Sequence, residues 1–176
     1  MNISIRFIGI LFFCFCSCKS LNDEKERQIE QSSILSDDKV VILLNSDHYK
    51  WLNENYGYQK WQPKENEIMS IQEIIDKAIK NEEFDFLKKS INENINKYYR
   101  QYIPYINKKG EKVIEINAFC EILEIPPLPE SESTQWTKMD WKNEYIVVDD
   151  GGNCYWQITI NIDTKTYKNL TVNGVG

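Results

Sequence analysis

The side chains that could perform acid, base or metal chemistry are few and scattered along the chain. Among 176 residues there is a single histidine, His48, so a multi-histidine metal site or a conventional Ser-His-Asp triad has little material. A lone histidine beside an aspartate, here Asp47, is typical of a surface or hydrogen-bonded residue. The sequence has no G-x-S-x-G nucleophile motif. We therefore expect a protein that is not an enzyme and that carries no cofactor.

A run of turn-forming residues, Asp149-Asp150-Gly151-Gly152-Asn153, is a weak candidate for a metal site. Asp149, Asp150 and Asn153 would offer two carboxylates and an amide to Ca²⁺, but the run lacks the further oxygen ligands of an EF-hand loop. Acidic residues followed by glycines are more typical of a tight turn. The interpretation we prefer is a turn between two strands, with no metal bound.

The surroundings of Cys18 indicate a covalent modification. Residues 1–17 combine a positive charge at Arg6 with an apolar stretch that is too short to span a bilayer. They end in Ser17-Cys18, a small residue before a cysteine, which resembles the lipobox of bacterial lipoproteins. In such proteins signal peptidase II cuts before the cysteine, whose thiol carries diacylglycerol. The alternative is an ordinary signal peptide cleaved near Ser17.

Charge and composition predict how the chain is organised. The formal net charge of −6 argues against nucleic-acid binding, which needs a basic face. A negative protein is not drawn to anionic headgroups, so acyl chains on Cys18 would hold it at the membrane. We predict a lipoprotein signal peptide at 1–17, the lipidated cysteine and a flexible polar tether at 18–36, and one globular domain at 37–176. The expected location is the cell envelope, as an outer-membrane lipoprotein facing the periplasm or the cell surface.

Apolar periodicity predicts one long helix and an early strand. The helix starts near Pro63, because proline suits a first helical position, and ends near Asn81. A shorter helical pattern follows over residues 84–95, and the apolar run Val40–Leu44 predicts a buried strand. The long helix carries an apolar stripe at i, i+3, i+7, i+10 and i+11, formed by Ile68, Ile71, Ile75, Ala78 and Ile79.

Alternating apolar residues predict a sheet. Tyr98–Asn107 and Glu111–Leu123 read as a β-hairpin with Gly110 in its turn, and Pro104 suits an edge strand. Three short strands follow, at Tyr145–Val148, Tyr155–Ile162 and Leu170–Val172. The order predicts an α+β fold, with one or two helices packed on a curved antiparallel sheet of about five strands. A cystatin-like roll is the specific arrangement we expect.

Two cysteines of the domain, Cys120 and Cys154, leave an alternative open. An envelope location permits a disulfide between them. A simple meander would place the strand at 143–148 between their strands, roughly 10 Å apart at about 4.8 Å per step. A bridge requires Cα atoms within about 7 Å. We therefore favour two unbridged, buried cysteines.

Aromatic residues supply the candidate contact surface. The chain has five Trp and ten Tyr, although rings on a half-buried sheet more often belong to its core and rim. The Pro-rich loop at 125–142 is long, which is typical of functional or disordered segments. The residues we single out for binding lie on the tyrosine-rich strand and in this loop: Tyr98, Arg100, Tyr102, Trp136 and Trp141.

These features favour a non-catalytic binding module held at the envelope, with a protein, peptide or glycan partner, such as an inhibitor or immunity-type protein. The alternative is an envelope hydrolase with carboxylate-based chemistry. A glycosidase needs two carboxylates facing one cleft, whereas pairs such as Glu82-Glu83 lie in solvated runs. A deep pocket with converging carboxylates would favour the hydrolase, and a flat, aromatic, acidic face would favour the binding module.

Several short motifs, spread over most of the mature chain, indicate a resemblance to a protein family. They are Trp61-x-Pro63 with Glu67-Ile68, Tyr99-Arg100-Gln101-Tyr102, Gly110-Glu111-Lys112, Ile116-Asn117-x-Phe119-Cys120, Asp150-Gly151-Gly152-x-Cys154-Tyr155 and Val172-Asn173-Gly174. With these motifs the chain resembles uncharacterised lipoproteins of Bacteroidetes, especially of Flavobacteria. The resemblance implies the envelope location and the fold, and it implies no activity.

Overall fold

The computed structural model describes residues 37–87, 95–127, 129 and 134–174. The predicted signal peptide, Cys18 and the tether all lie outside the described residues. The described part is an α+β fold, as the sequence predicted. Its elements are β1 (Val40–Ile42), α1 (Asp47–Tyr56), β2 (Gln59–Lys60), α2 (Glu65–Lys80), a 3₁₀ turn (Asp85–Leu87), β3 (Tyr99–Ile106), β4 (Lys112–Phe119), β5 (Glu124–Ile125), β6 (Thr137–Lys138), a second 3₁₀ turn (Gly152–Cys154), β7 (Tyr155–Asn161) and β8 (Thr166–Val172).

The main sheet has the strand order β1-β3-β4-β7-β8, and β2 also pairs with β3. Strand β1 runs parallel to β3, and the other pairs are antiparallel, so β1 adds a parallel strand to the predicted antiparallel ones and makes the sheet mixed. The predicted strand at Tyr145–Val148 does not form. Strand β4 pairs directly with β7 instead, which removes the simple meander.

The hairpin of β3 and β4 forms as predicted, and Gly110 adopts a positive φ of 79° in its turn. The edge position predicted from Pro104 was wrong, because β3 has neighbours on both sides. Strand β1 pairs with residues 100–102 of β3, and β2 pairs with residues 105–106. Pro104 falls between these two stretches, where its missing N–H costs no ladder hydrogen bond.

Direct pairing of β4 with β7 also overturns the expectation of unbridged, buried cysteines. Phe119 of β4 pairs with Tyr155 of β7. Cys120 comes directly after Phe119 and Cys154 directly before Tyr155, and the two cysteines form a disulfide with a Cα–Cα distance of 5.0 Å. Cys120 is exposed and Cys154 is half-buried. The geometric argument failed at its premise, because the intervening strand that would have held the two cysteines apart is absent from the described sheet.

The two helices begin and end at recognisable residues. Helix α1 starts after Ser46, whose Oγ accepts from the backbone N–H of Tyr49 at 3.3 Å, and stops before Gly57, which has a left-handed φ of 66°. Helix α2 starts after Lys64, whose backbone N–H donates to Glu67 Oε2 at 2.7 Å. The long helix predicted over 63–81 is therefore confirmed.

Helix α2 covers one face of the sheet. Lys112 Nζ on β4 contacts Glu67 Oε1 at 2.5 Å, and Asn81 Nδ2 contacts Tyr167 Oη on β8 at 3.2 Å. The helix buries Ile68, Ile71, Ile74, Ile75 and Ala78, so Ile74 takes the place predicted for Ile79. The strand residues on this face are buried as well: Tyr102, Ile114, Ile116, Trp156, Ile158 and Ile160. Each buried isoleucine contributes about 1.5–3 kcal/mol to stability.

Helix α1 and residues 139–148 cover the opposite face. Two apolar clusters lie there. One joins α1 and the chain before it to β3 and β4 through Leu43, Tyr49, Leu52, Ile103, Tyr105 and Val113. The other joins the 139–148 segment to β4 and β7 through Phe119, Trp141, Ile146 and Tyr155. The sheet is therefore buried on both faces, so side chains on either face of its central strands enter a core.

Candidate ligand groove

Four of the five residues singled out for binding are buried. Tyr98, Arg100, Tyr102 and Trp141 are 8%, 2%, 1% and 6% exposed, whereas Trp136 is 61% exposed. The tyrosine-rich strand is β3, which lies inside the sheet rather than at its surface. A side chain in a packed core is not available to a partner, so of the five only Trp136 is placed where it could contact one.

The buried candidates have structural contacts of their own. Tyr98 Oη donates to the backbone carbonyl of Asn153 at 2.7 Å. Arg100 forms an ion pair with Asp37, through Nη2 and Oδ2, and its Nε has no hydrogen-bond partner among the described residues. Burial raises the pKa of the Tyr102 phenol. These contacts fix β3 within the fold.

The weak metal candidates lie at the turn before the second 3₁₀ segment. Asp149 and Asp150 are exposed, and the amide nitrogen of Asn153 donates to the carbonyl of Phe86 at 3.2 Å. Within the described residues, the grouping of potential metal ligands comprises Cys120, Glu121 and Cys154. Its two sulfurs are joined in the disulfide and offer no thiolate to a metal.

A groove of about 630 Å³ opens between the first turns of α1 and residues 143–147. Its size lies within the roughly 300–1,000 Å³ that is usual for ligand sites. Trp51 and Val147 form its exposed apolar rim and are 47% and 67% exposed. The lining residues are Asn45, Ser46, Asp47, His48, Trp51, Asn143, Glu144, Tyr145 and Val147. We call this feature the α1 groove.

Three rings are stacked in the wall of the α1 groove. His48 lies against Tyr145, with a centroid distance of 3.8 Å and an interplanar angle of 11°. It also lies against Trp51, at 5.8 Å and 20°, and Trp51 meets Tyr56 in an edge-to-face arrangement at 5.3 Å. The imidazole therefore contacts two larger rings, and its position depends on both sides of the groove.

Glu115 on β4 lies beneath this stack. Its Oε1 accepts from Tyr145 Oη at 2.8 Å and lies 3.3 Å from His48 Nε2, where the alignment falls short of a hydrogen bond. Gln157 Nε2 donates to the same tyrosine oxygen at 3.1 Å. Burial, reinforced by the Glu115 carboxylate, raises the pKa of Tyr145. Tyr145 is thus held neutral, as a donor to Glu115.

Side-chain amides hold the 141–147 wall where a strand partner would otherwise be needed. Gln101 Nε2 donates to the carbonyls of Trp141 and Glu144, at 2.6 Å in both cases. Gln101 Oε1 accepts from the N–H of Ile146 at 3.0 Å, and Asn117 Nδ2 donates to the carbonyl of Ile146 at 2.8 Å. A buried backbone group without a partner costs about as much free energy as a lost hydrogen bond, and these two amides satisfy four backbone groups of the irregular segment.

The polar side chains of the α1 groove differ in how far they are open to a ligand. Ser46 is the hydroxyl among its lining residues that a base could activate, but it is 4% exposed and its oxygen caps α1. His48 and Glu115 are held in position by these contacts, and the acidic residues Asp47 and Glu144 also line the open space. What the groove presents to a ligand is an indole face, the side chain of Val147 and the Glu144 carboxylate.

Sequence reasoning did not single out any residue of the α1 groove for binding. The region Asn45–Tyr56 has no clear apolar period, and the sequence favoured a surface or hydrogen-bonded role for His48. One local signal was present, because Ser46 before Asp47 and Gly57 after Tyr56 are typical of the start and the end of a helix. No local signal connects His48 with Glu115 or Tyr145, which lie on separate elements.

Comparison with protein families, curated proteins and solved structures finds no match for this chain. Among the described residues, no helix combines the length and the apolar character needed to cross a membrane.

Proposed function

We propose that the protein is a lipid-anchored binding module of the bacterial cell envelope that holds its partner in the α1 groove. The observation that carries this proposal is the exposed rim formed by Trp51 and Val147 beside a preformed stack of rings. Large apolar side chains that remain exposed around a concave site are typical of interaction sites. The partner is a protein, a peptide or a glycan of the envelope.

The anchor in this proposal is a lipid on Cys18, following the Ser17-Cys18 sequence. The disulfide between Cys120 and Cys154 supports the location, because structural disulfides persist outside the reducing cytosol. The Cys18→Ala chain should lose a palmitate label and leave the membrane fraction. Labelling that persists in this variant would show that another cysteine carries the lipid.

The groove itself is tested by comparing two exposed tryptophans. The full chain, Trp51→Ala and Trp136→Ala are each used to capture partners from an envelope extract. Trp51→Ala should lose the captured species, and Trp136→Ala should retain it. Because Trp51 is 47% and Trp136 is 61% exposed, each change should cost about 1–2 kcal/mol of stability at most. If Trp136→Ala loses the captured species and Trp51→Ala retains it, the contact surface is the loop that contains Trp136.

A second candidate function is an envelope hydrolase, and the position of His48 near Glu115 favours it. In that case His48 would act as a general base on a bound substrate. The captured ligand distinguishes the two candidates: incubation with the full chain should leave its mass unchanged if the protein only binds. Hydrolysis that His48→Gln abolishes would establish the enzyme instead.

A further inference from the structure

We infer that the α1 groove takes a cationic side chain, a lysine or arginine of an extended basic peptide segment. This inference deepens the proposed function and rests on it. It names the chemistry of the partner, which the shape of the groove alone does not specify.

The first argument is the charge of the groove. Two carboxylates, those of Asp47 and Glu144, line it, and neither lysine nor arginine is among its described lining residues. Asp47 already has a cation, because Lys50 Nζ lies 2.6 Å from its Oδ1. Glu144 donates and accepts only through its backbone, to Asp140 and from Gln101. Within the described chain its carboxylate is therefore open to a ligand, and a carboxylate accepts hydrogen bonds without donating any.

The second argument is the exposed indole. Four lysines in the described chain lie over aromatic rings at 5.3–5.7 Å, namely Lys39, Lys60, Lys112 and Lys142. Trp51 is more exposed than any of the four rings that they cover, yet no described lysine or arginine covers it. An indole face attracts an ammonium or guanidinium group through its quadrupole. The rim of the groove thus combines a cation-binding face with an unpaired carboxylate.

The third argument weighs against a neutral sugar. Sugar binding uses side-chain amides that donate and accept hydrogen bonds with hydroxyl groups, and each of the two amides of the groove already has one end engaged. Asn45 Oδ1 accepts from Lys60 Nζ at 2.6 Å, and Asn143 Nδ2 donates to both carboxylate oxygens of Asp140. The Glu144 carboxylate, for which the described residues provide no side-chain hydrogen bond, is a pure acceptor and matches a cation better than a sugar hydroxyl.

Four probes test the inference on the full chain in detergent micelles, with affinities measured by isothermal titration calorimetry. They are the peptide acetyl-Gly-Lys-Gly-Lys-Gly-amide, the same peptide with both lysines acetylated, its diglutamate counterpart and the trimer of N-acetylglucosamine. The lysine peptide should bind at least roughly tenfold more tightly than the acetylated peptide, because acetylation removes both the ion pair and the cation–π contact. Its affinity should fall as the salt concentration rises.

Two charge variants provide a matched pair. Glu144→Lys should weaken binding of the lysine peptide by at least roughly tenfold, since a like charge replaces the counter-charge. Glu83→Lys makes the same change at an exposed residue after α2, which covers the opposite face of the sheet, and it should alter affinity less than about twofold. Circular dichroism of both variants checks that they are folded. Equal losses of affinity in the two variants would mean that the effect comes from net charge alone, which would overturn the inference.

The remaining outcomes separate the inference from the proposed function. If the glycan trimer binds, the lysine peptide does not, and Trp51→Ala abolishes glycan binding, the inference is wrong while the groove remains the binding site. If the lysine peptide binds and Trp51→Ala leaves its affinity unchanged, the groove is not the site and both proposals fail. Absence of binding by the lysine peptide, or equal binding by its acetylated form, overturns the inference.

Discussion

Gln101 is the residue whose replacement tests how the wall of the α1 groove is held. Its side chain is fully buried, and both ends of its amide are engaged. The nitrogen donates to two carbonyls of the wall at 2.6 Å, and the oxygen accepts from Ile146 N and from Asn117 Nδ2 at 3.0 Å. We predict that Gln101→Leu, which is similar in volume but apolar, destabilises the folded chain strongly.

The magnitude follows from the hydrogen bonds that the leucine cannot make. Four hydrogen bonds at about 1 kcal/mol each amount to about 4 kcal/mol of stabilisation removed. The leucine side chain returns about 1–2 kcal/mol by burying its own apolar surface, while the stranded carbonyls of Trp141 and Glu144 add about 1 kcal/mol of desolvation cost. The net expectation is a decrease of about 3 kcal/mol in the free energy of unfolding, or roughly 6–12 °C in Tm for a domain of this size.

Urea denaturation followed by tryptophan fluorescence measures this decrease, and Gln157→Leu is the matched control. Gln157 has the same side chain on the same sheet face, but it makes only two longer hydrogen bonds, at 3.3 Å to Asn117 Oδ1 and 3.1 Å to Tyr145 Oη. We expect its replacement to cost about 1 kcal/mol. If the two variants are destabilised equally, packing rather than the Gln101 amide holds the wall, and the reasoning is refuted.

Three further predictions concern the disulfide, the buried ion pair of Arg100 and the phenol of Tyr145. Replacing both Cys120 and Cys154 by serine should cost about 3–4 kcal/mol in the chain-entropy model, given their separation of 34 residues, and a peptide map of the unreduced protein that lacks the linked pair would contradict the bridge. Asp37→Asn should cost about 3 kcal/mol, because it leaves the buried Arg100 guanidinium without a counter-charge. Deletion of residues 19–36 should instead shift Tm by less than about 5 °C. Equal Tm shifts in the two variants would contradict the role of the ion pair. The raised pKa of Tyr145 stabilises the fold fully below pH about 10, the value for an unfolded tyrosine, and this contribution is lost as the pH rises toward the folded pKa. Stability measured at pH 9 and pH 11 should therefore fall less in Tyr145→Phe, and an unchanged slope would contradict the assignment.

The parts of the fold that the sequence predicted are those with a strong local pattern. Helix α2 follows from a stripe of apolar residues with a 3.6-residue period, and the β3–β4 hairpin follows from two alternating runs around Gly110. The Tyr145–Val148 prediction failed for a physical reason. Its residues have high β propensity, but propensity reflects fit to a half-buried surface rather than the backbone partner that is available. Here the partners are side-chain amides from β3 and β4.

The candidate site was harder to predict than the fold, because its residues share no local pattern. His48 lies on α1, Glu115 on β4 and Tyr145 on an irregular segment, and only the folded sheet brings them together. Two of the aromatic residues singled out for binding, Tyr98 and Tyr102, belong to the run with the most regular alternation. Regular alternation is itself a sign of burial, so Tyr98 and Tyr102 entered the core while Trp51, in a region with no clear period, stayed exposed.

The same contacts that made the groove hard to predict also prepare it to bind. Gln101 and Asn117 fix the backbone of the wall from below, and Tyr145 transmits that position to His48 through the stacked rings. A ligand that enters the groove therefore does not have to order the wall, and ordering costs about 0.5–1.5 kcal/mol for each immobilised side chain. Loosening the wall should thus weaken binding even when every side chain that touches the ligand is still present. In Gln101→Leu the affinity should fall while Trp51 and Glu144 remain unchanged in sequence, which separates a preorganised groove from a surface whose exposed side chains act alone.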